Sequence, residues 1–272
     1  VDGAVSTGGL VGALSTGGIT SSYASGDVQG AASTGGLVGS ITTGGIDDSY
    51  ALGPVHGAAG TGGLVGTSTG LISGSYAEGQ VTGTIAGVIG AAAAATVGGL
   101  VGATTGDVTL SYAIGDVIAG EGAGGAGVGG LIGTTTGAVS ISYAAGEVSG
   151  GANVGGLIGS STGTVLNTYA TGGVAGNTNV GGLIGTATNS VDNSYSSGVI
   201  LGTNPSTTGA FIGSASVQNS NNFFSDQSNP TTMPGVGAAS IAGGVTAMSP
   251  VEMEDEANFT SSTAANGDVD PD

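Results

Sequence analysis

The tract Gly-Gly-Leu-(Val/Ile)-Gly recurs seven times in the 272-residue chain, with its leucine at Leu10, Leu37, Leu64, Leu100, Leu131, Leu157 and Leu183. A degenerate eighth copy carries Phe211 at the leucine position. A tyrosine follows each leucine by 12 or 13 residues: Tyr23, Tyr50, Tyr76, Tyr112, Tyr143, Tyr169 and Tyr195, with Phe223 taking that place in the eighth copy. Self-similarity of this length signals a stack of small structural units, because one unit cannot bury its own apolar side. The leucine-to-leucine intervals are 27, 27, 36, 31, 26, 26 and 28. The leucine-to-tyrosine half hardly varies and the larger length changes fall between a tyrosine and the next leucine, so residues 84–96 and 119–126 read as loops leaving one edge of a regular stack.

Aligned on tyrosine, the units show fixed columns. Four residues before it stands an aliphatic: Ile19, Ile46, Ile72, Val108, Val139, Val165 or Val191. One before is Ser or Thr, one after is Ala (Ser196 in the seventh unit), and three after is Gly. Five after stands Val28, Val55, Val81, Val117, Val148, Val174 or Ile200. Each unit thus holds three short β-prone runs separated by glycine, and no window carries a sustained helical period with caps. The columns predict an all-β fold: a right-handed parallel β-solenoid, a three-sided β-helix of about eight coils of ~26 residues with two loop insertions. Leucine, the aliphatic before tyrosine and the valine after it are the expected inner ladders. Ser and Ala flank every tyrosine. If they point inward, the seven tyrosines form an outward stripe, either an aromatic ladder supporting strand stacking or a lateral contact face for another copy or a glycan.

Composition removes many functions. Glycine accounts for 61 residues, without a collagen-like Gly-X-Y period. Charged residues are only 7% of the chain, which does not fit disorder driven by charge. There is no Lys or Arg against 18 Asp and Glu, a formal charge of −18. The chain therefore has no means of neutralising nucleic-acid phosphates, lacks a Walker lysine and is repelled by anionic membrane surfaces. Without cysteine it forms neither disulfides nor Cys-based zinc sites. The neutral run 84–103 has the length of a membrane span, but it is rich in Gly and Ala and contains a full repeat tract, so it is expected to pack as a small-residue loop.

Few residues offer chemistry. His56 stands alone beside Pro54 and Gly57 and reads as a surface loop residue. Asp47 with Asp48, or Asp116 with Glu147, are the carboxylate pairs a glycosidase would need. Asp116 and Glu147 occupy equivalent positions of adjacent coils, ~5 Å apart, where they repel unless protonated or bridged by a cation such as calcium. A lyase-type site would need an Arg or Lys base. The chain is accordingly expected not to be an enzyme and to carry no resident cofactor, with Asp116 and Glu147 as weak calcium candidates.

Val154-Gly155-Gly156-Leu157-Ile158-Gly159, followed by Gly163-Thr164-Val165-Leu166-Asn167-Thr168-Tyr169-Ala170-Thr171-Gly172, resembles the GLUG motif. The resemblance extends over about residues 5–225. Asn222-Phe223-Phe224-Ser225-Asp226 and the glycine-rich stretch beyond are similar to a segment that often closes such repeats. The motif recurs in large bacterial and archaeal surface proteins, in adhesin-like proteins and in a family of immunoglobulin-A peptidases. The resemblance implies an extracellular or cell-surface scaffold. It does not carry the peptidase activity over, since that needs a His-Glu-x-x-His motif and this chain has one histidine.

The expected organisation is a solenoid over 1–225 and a capping segment with an acidic tail over 226–272. Pro250 opens a short acidic helix over 250–256, and seven of the 18 carboxylates lie in 252–272. Asn258-Phe259-Thr260 is a glycosylation sequon. No comparable cap precedes the first coil, which points either to a longer array or to the joint of a head-to-tail filament. The functional expectation is a structural extracellular protein that assembles with itself into a filament or sheath. The alternative is a stalk or ligand-binding module of a larger surface adhesin, and the third reading a glycan-active enzyme. The expected partners are further copies, cell-surface glycans or divalent cations, with no nucleic acid and no membrane insertion. The absence of Lys and Arg also leaves trypsin-like proteases no cleavage site.

Overall fold

A computed structural model describes residues 1–83, 96–120, 127–216, 219–226, 228–229, 233–239 and 244–253. The two predicted insertions fall largely on 84–95 and 121–126, and the acidic tail and its sequon on 254–272; all three lie outside the described residues. The described residues form a parallel β-solenoid of about eight coils with almost no helix among them.

Each coil lays short strands into four parallel ladders. In the second coil these are Ala32–Gly35, Val38–Ile41, Gly45–Asp47 with Tyr50–Ala51, and Val55–His56. The three runs predicted from the columns form the second, third and fourth ladders. The first ladder escapes sequence reading because Ala32-Ser33-Thr34-Gly35 has little β-propensity of its own. It pairs through its neighbours instead, Thr7 on Thr34 and Thr34 on Thr61. Register is kept residue for residue: Val38 pairs with Val65, Ile46 with Ile72, Tyr50 with Tyr76, Val55 with Val81. A one-residue slip would turn every buried aliphatic outward.

The Gly-Gly pair makes the corner between the first and second ladders. A Cβ on Gly36 would lie 2.1 Å from the Gly63 carbonyl oxygen and 2.8 Å from Ala51 Cβ, so backbone of adjacent coils and the alanine after tyrosine fill the space a side chain would need. Leu37, Leu64, Leu100, Leu131, Leu157 and Leu183 are buried just beyond that corner, and Phe211 takes their place in the eighth coil. They pack with the aliphatics before tyrosine and the alanines after it as one apolar column. The valines five after tyrosine form a second column. There Val81, Val117, Val148, Val174 and Ile200 meet Val97, Val128, Val154 and Val180 of the first ladder.

The third ladder contains a kink that reconciles two buried positions. Ile46 and Ser49 are three residues apart, which on a straight strand puts them on opposite faces, yet both are buried. Asp48 between them has φ of 48°, and this left-handed residue switches the face. Every described coil repeats the switch: Ser21, Gly74, Leu110, Ile141, Asn167, Asn193 and Asn221 hold φ between 47° and 58°. The hydroxyl column next to it restores the hydrogen bonds that the kink removes from the ladder. Ser49 N donates to Ser75 Oγ at 3.1 Å, and Ser75 Oγ donates to the Ser73 carbonyl at 2.7 Å. Ser75 with Ser111 and Ser111 with Ser142 repeat the pattern, and Asn222 Oδ1 closes it beneath Ser194.

Beyond Ser225, strands Val236–Ala239 and Val245–Met248 extend the second and third ladders. A four-residue helix, Pro250–Met253, follows. Ser249 and Glu252 cap each other there. The Ser249 amide and hydroxyl both donate to Glu252 Oε2 at 2.8 Å, which holds the Glu252 carboxyl below the usual carboxylate range.

Candidate functional site: a tyrosine ridge and its neighbouring faces

From the second coil on, the Ser or Thr before each tyrosine and the Ala or Ser after it are buried, so the tyrosine itself points out. The seven rings stack in one unbroken file, with centroids 4.8–5.2 Å apart and planes within 9° of parallel. Phe223 continues the column in register below Tyr195. From Tyr50 to Tyr169 each ring has a neighbour on both faces. A pyranose ring, which stacks on an open aromatic face, therefore finds none along that stretch. What the ridge presents is a row of ring edges and phenol hydroxyls. Burial pushes the Tyr169 phenol up to about 12, with Tyr195 and Tyr143 adding to the shift. Burial likewise raises Tyr76, Tyr112, Tyr143 and Tyr195, and neighbouring phenols add to it at Tyr76 and Tyr112. These five raised phenols stay protonated at neutral pH.

Beside the ridge lie residues that the columns did not single out. Leu110 and Ile141 occupy the left-handed position of adjacent coils and are 56% and 45% exposed. Bulky side chains are genuine outliers in that conformation. The next three coils use Asn167, Asn193 and Asn221 there. Ile114 and Leu166 are exposed in the same stretch. The sequence signal was available: Leu and Ile break a column otherwise filled by Ser, Asp, Gly and Asn.

The second ladder carries a groove of about 410 Å³ on its outer side, lined by Ile41, Thr67, Thr69, Ala103, Thr105, Thr134, Thr136, Ser160 and Thr162 together with the buried Ser68, Thr104 and Thr135. No charged residue lines it. Thr69, Thr105, Thr136 and Thr162 are its exposed column, one per coil.

The carboxylate candidates have a different setting. Asp116 and Glu147 are both exposed and stand on adjacent coils, as expected. Asp116 Oδ1 accepts the Glu147 amide at 3.0 Å. Asp107 does the same for Ala138 at 2.8 Å and Asp192 for Ser220 at 2.9 Å. These aspartates tie one coil to the next at corners. A cleft of about 270 Å³ runs past Asp116 and Glu147 between Ile118, Val199 and Leu201. Among the described residues, no three His, Cys, Asp or Glu side chains gather where they could hold a metal ion. Asp47 and Asp48 are consecutive exposed residues of the third ladder, Asp48 at the kink. His56 lies in a strand of the fourth ladder, paired in register with Gln29 and Thr82, rather than in a loop.

The unit from the end of one fourth-ladder strand to the end of the next can now be compared with known repeats. The family model of the GLUG motif matches residues 176–201. The chain carries a GLUG repeat. The matched GLUG unit contains Gly181-Gly182-Leu183-Ile184-Gly185, Val191, Tyr195 and Ile200, the same columns that recur in the other coils. A search of curated proteins and a search of solved structures returned no match. A GLUG repeat within a β-solenoid fold fits an extracellular repeat protein. Among the described residues no helix is long and apolar enough to cross a membrane.

Proposed function

We propose that this chain is a structural extracellular protein that assembles with copies of itself, by coil stacking and by lateral contacts, into a filament or sheath. The observation that carries the reading is the ridge: an uninterrupted stack of seven tyrosines, flanked in its middle coils by exposed Leu110 and Ile141, on a chain of net charge −18. Exposed apolar side chains grouped together mark interaction surfaces on soluble proteins. Holding them in an unfavourable backbone conformation is a feature of sites with a function beyond folding. The mechanism is mechanical. In-register main-chain ladders and apolar columns give stiffness, and the faces give contacts. The test is electron microscopy of the purified chain across a concentration series. Ordered polymers are expected, and dispersed monomers at high concentration would overturn the proposal.

A further inference from the structure

Two surfaces of this molecule, the tyrosine ridge and the uncharged groove, share one period. Ring centroids of Tyr76, Tyr112, Tyr143 and Tyr169 follow each other at 4.8–4.9 Å. The groove is cut into the same coils, with Thr67 in register with Ala103, Ala103 with Thr134 and Thr134 with Ser160. A ridge of one copy laid along the groove of another therefore stays in step at every coil. No separate adjustment of spacing is needed, because one backbone repeat sets both.

Charge restricts where two copies can meet. All 18 side-chain charges are negative, so copies repel wherever carboxylates face each other. The ridge is not neutral throughout: Asp47 and Asp48 precede Tyr50, and Glu78 follows Tyr76. Glu78 also reaches Tyr112 electrostatically from the neighbouring coil, and beyond it the flanks through Tyr169 are Thr109, Leu110, Ile114, Ser140, Ile141 and Leu166, with no carboxylate within three residues of a tyrosine in sequence. This is also where the exposed bulky residues sit in left-handed backbone. The groove spans the corresponding coils and presents methyls and hydroxyls, which suit apolar side chains and phenol hydroxyls together.

We propose that the least charged stretch of the ridge, around Tyr112, Tyr143 and Tyr169, seats in the threonine groove of a second copy, joining chains side by side. The inference rests on the self-assembly proposed above and names its lateral contact. Ridge and groove are different faces, so the contact is heterologous: each bound copy still offers the other face, and growth is open-ended.

The test uses two variants of the full chain. Leu110→Asn with Ile141→Asn alters the ridge flank, using the residue that already fills that position in later coils, so folding is retained. Thr136→Glu puts a carboxylate in the groove. Ser149→Glu adds the same charge on the fourth ladder as a control. Particle width by negative-stain microscopy reports lateral contact, and sedimentation reports mass. Wild type and control are expected to widen with concentration, and each face variant is expected to lose widening. An equimolar mixture of the two variants is expected to form side-by-side pairs that stop at two, since one retains a groove and the other a ridge. Widening of either variant alone, or no pairing in the mixture, overturns this inference while self-assembly stands. A wild type that stays monomeric overturns both.

Discussion

Three buried hydroxyls give a direct test of how this solenoid is held together. Thr7, Thr34 and Thr61 point into the interior of the first ladder, at 5%, 0% and 0% exposure, and their Oγ1 atoms have no hydrogen-bond partner. The same column continues as Val97, Val128, Val154 and Val180, all fully buried. Each hydroxyl lies over a glycine of the fourth-ladder corner: a Cβ on Gly30 would come 2.5 Å from Thr34 Oγ1, and one on Gly57 2.3 Å from Thr61 Oγ1. A valine methyl occupies the same place farther along, 2.3 Å from where a Cβ on Gly83 would stand. Thr34→Val therefore needs no new space. It removes a polar group whose burial without a partner costs about 1–3 kcal/mol. The expected gain is about 1–2 kcal/mol, or a rise of roughly 2–4 °C in Tm for a chain of this size. Thr34→Ser keeps the hydroxyl and loses the methyl, and is expected to destabilise. The assay is urea unfolding followed by far-ultraviolet circular dichroism on all three proteins. A Thr34→Val variant that unfolds at lower urea than wild type refutes the reasoning, because the hydroxyl would then have to be bonded in the folded chain.

Two further predictions concern the corner and the ridge. Gly63→Ala places a Cβ 2.1 Å from the Gly99 carbonyl oxygen and 2.8 Å from Ala77 Cβ, so it is expected to cost about 3 kcal/mol or more in the same urea assay, whereas a loss under about 0.5 kcal/mol would show that the corner can open. The Tyr169 phenol keeps its proton to about 12 in the folded chain against 10.0 for a free phenol. Between those values the folded state binds more protons than the unfolded one, so stability is full below pH 10 and falls as pH rises toward 12. A Tm that stays flat across that window, while phenolate absorbance rises, would contradict the burial assigned to the ridge.

The inward and outward assignment was legible because whole columns kept one residue type. Leu, Ile and Val at fixed offsets mark the buried ladders, except that Leu10 of the first coil, with no coil before it in the structure, is 51% exposed, and the small residues on either side of the tyrosines turn the rings outward. What could not be read follows from residues whose role depends on neighbours. The first ladder hides in Ala-Ser-Thr-Gly, whose pairing is imposed by coils above and below. The left-handed column mixes Ser, Asp, Gly, Leu, Ile and Asn, so the hint given by Asp48, Gly74 and the last three asparagines is broken by Ser21, Leu110 and Ile141. The valines after tyrosine build a second column because valines of that hidden ladder face them. Asp116 and Glu147 were rightly placed on neighbouring coils, but sequence spacing shows no backbone amide, and it is the Glu147 amide that engages Asp116. The groove stayed invisible because Thr, Ser and Ala alternate along its half-exposed column.

The serine ladder has a consequence for how such a chain can change length in descent. Each coil receives from the next the hydroxyl it offers to the one before: Ser75 stands to Ser49 as Ser111 stands to Ser75. Excising residues 131–156 from the gene would bring Leu100 against Leu157 and Tyr112 against Tyr169, contacts of a kind already present at every step. Unequal recombination between repeats can thus shorten or lengthen the body one rung at a time, about 4.8 Å per event, without inventing a new interface. Length in this protein is a heritable count.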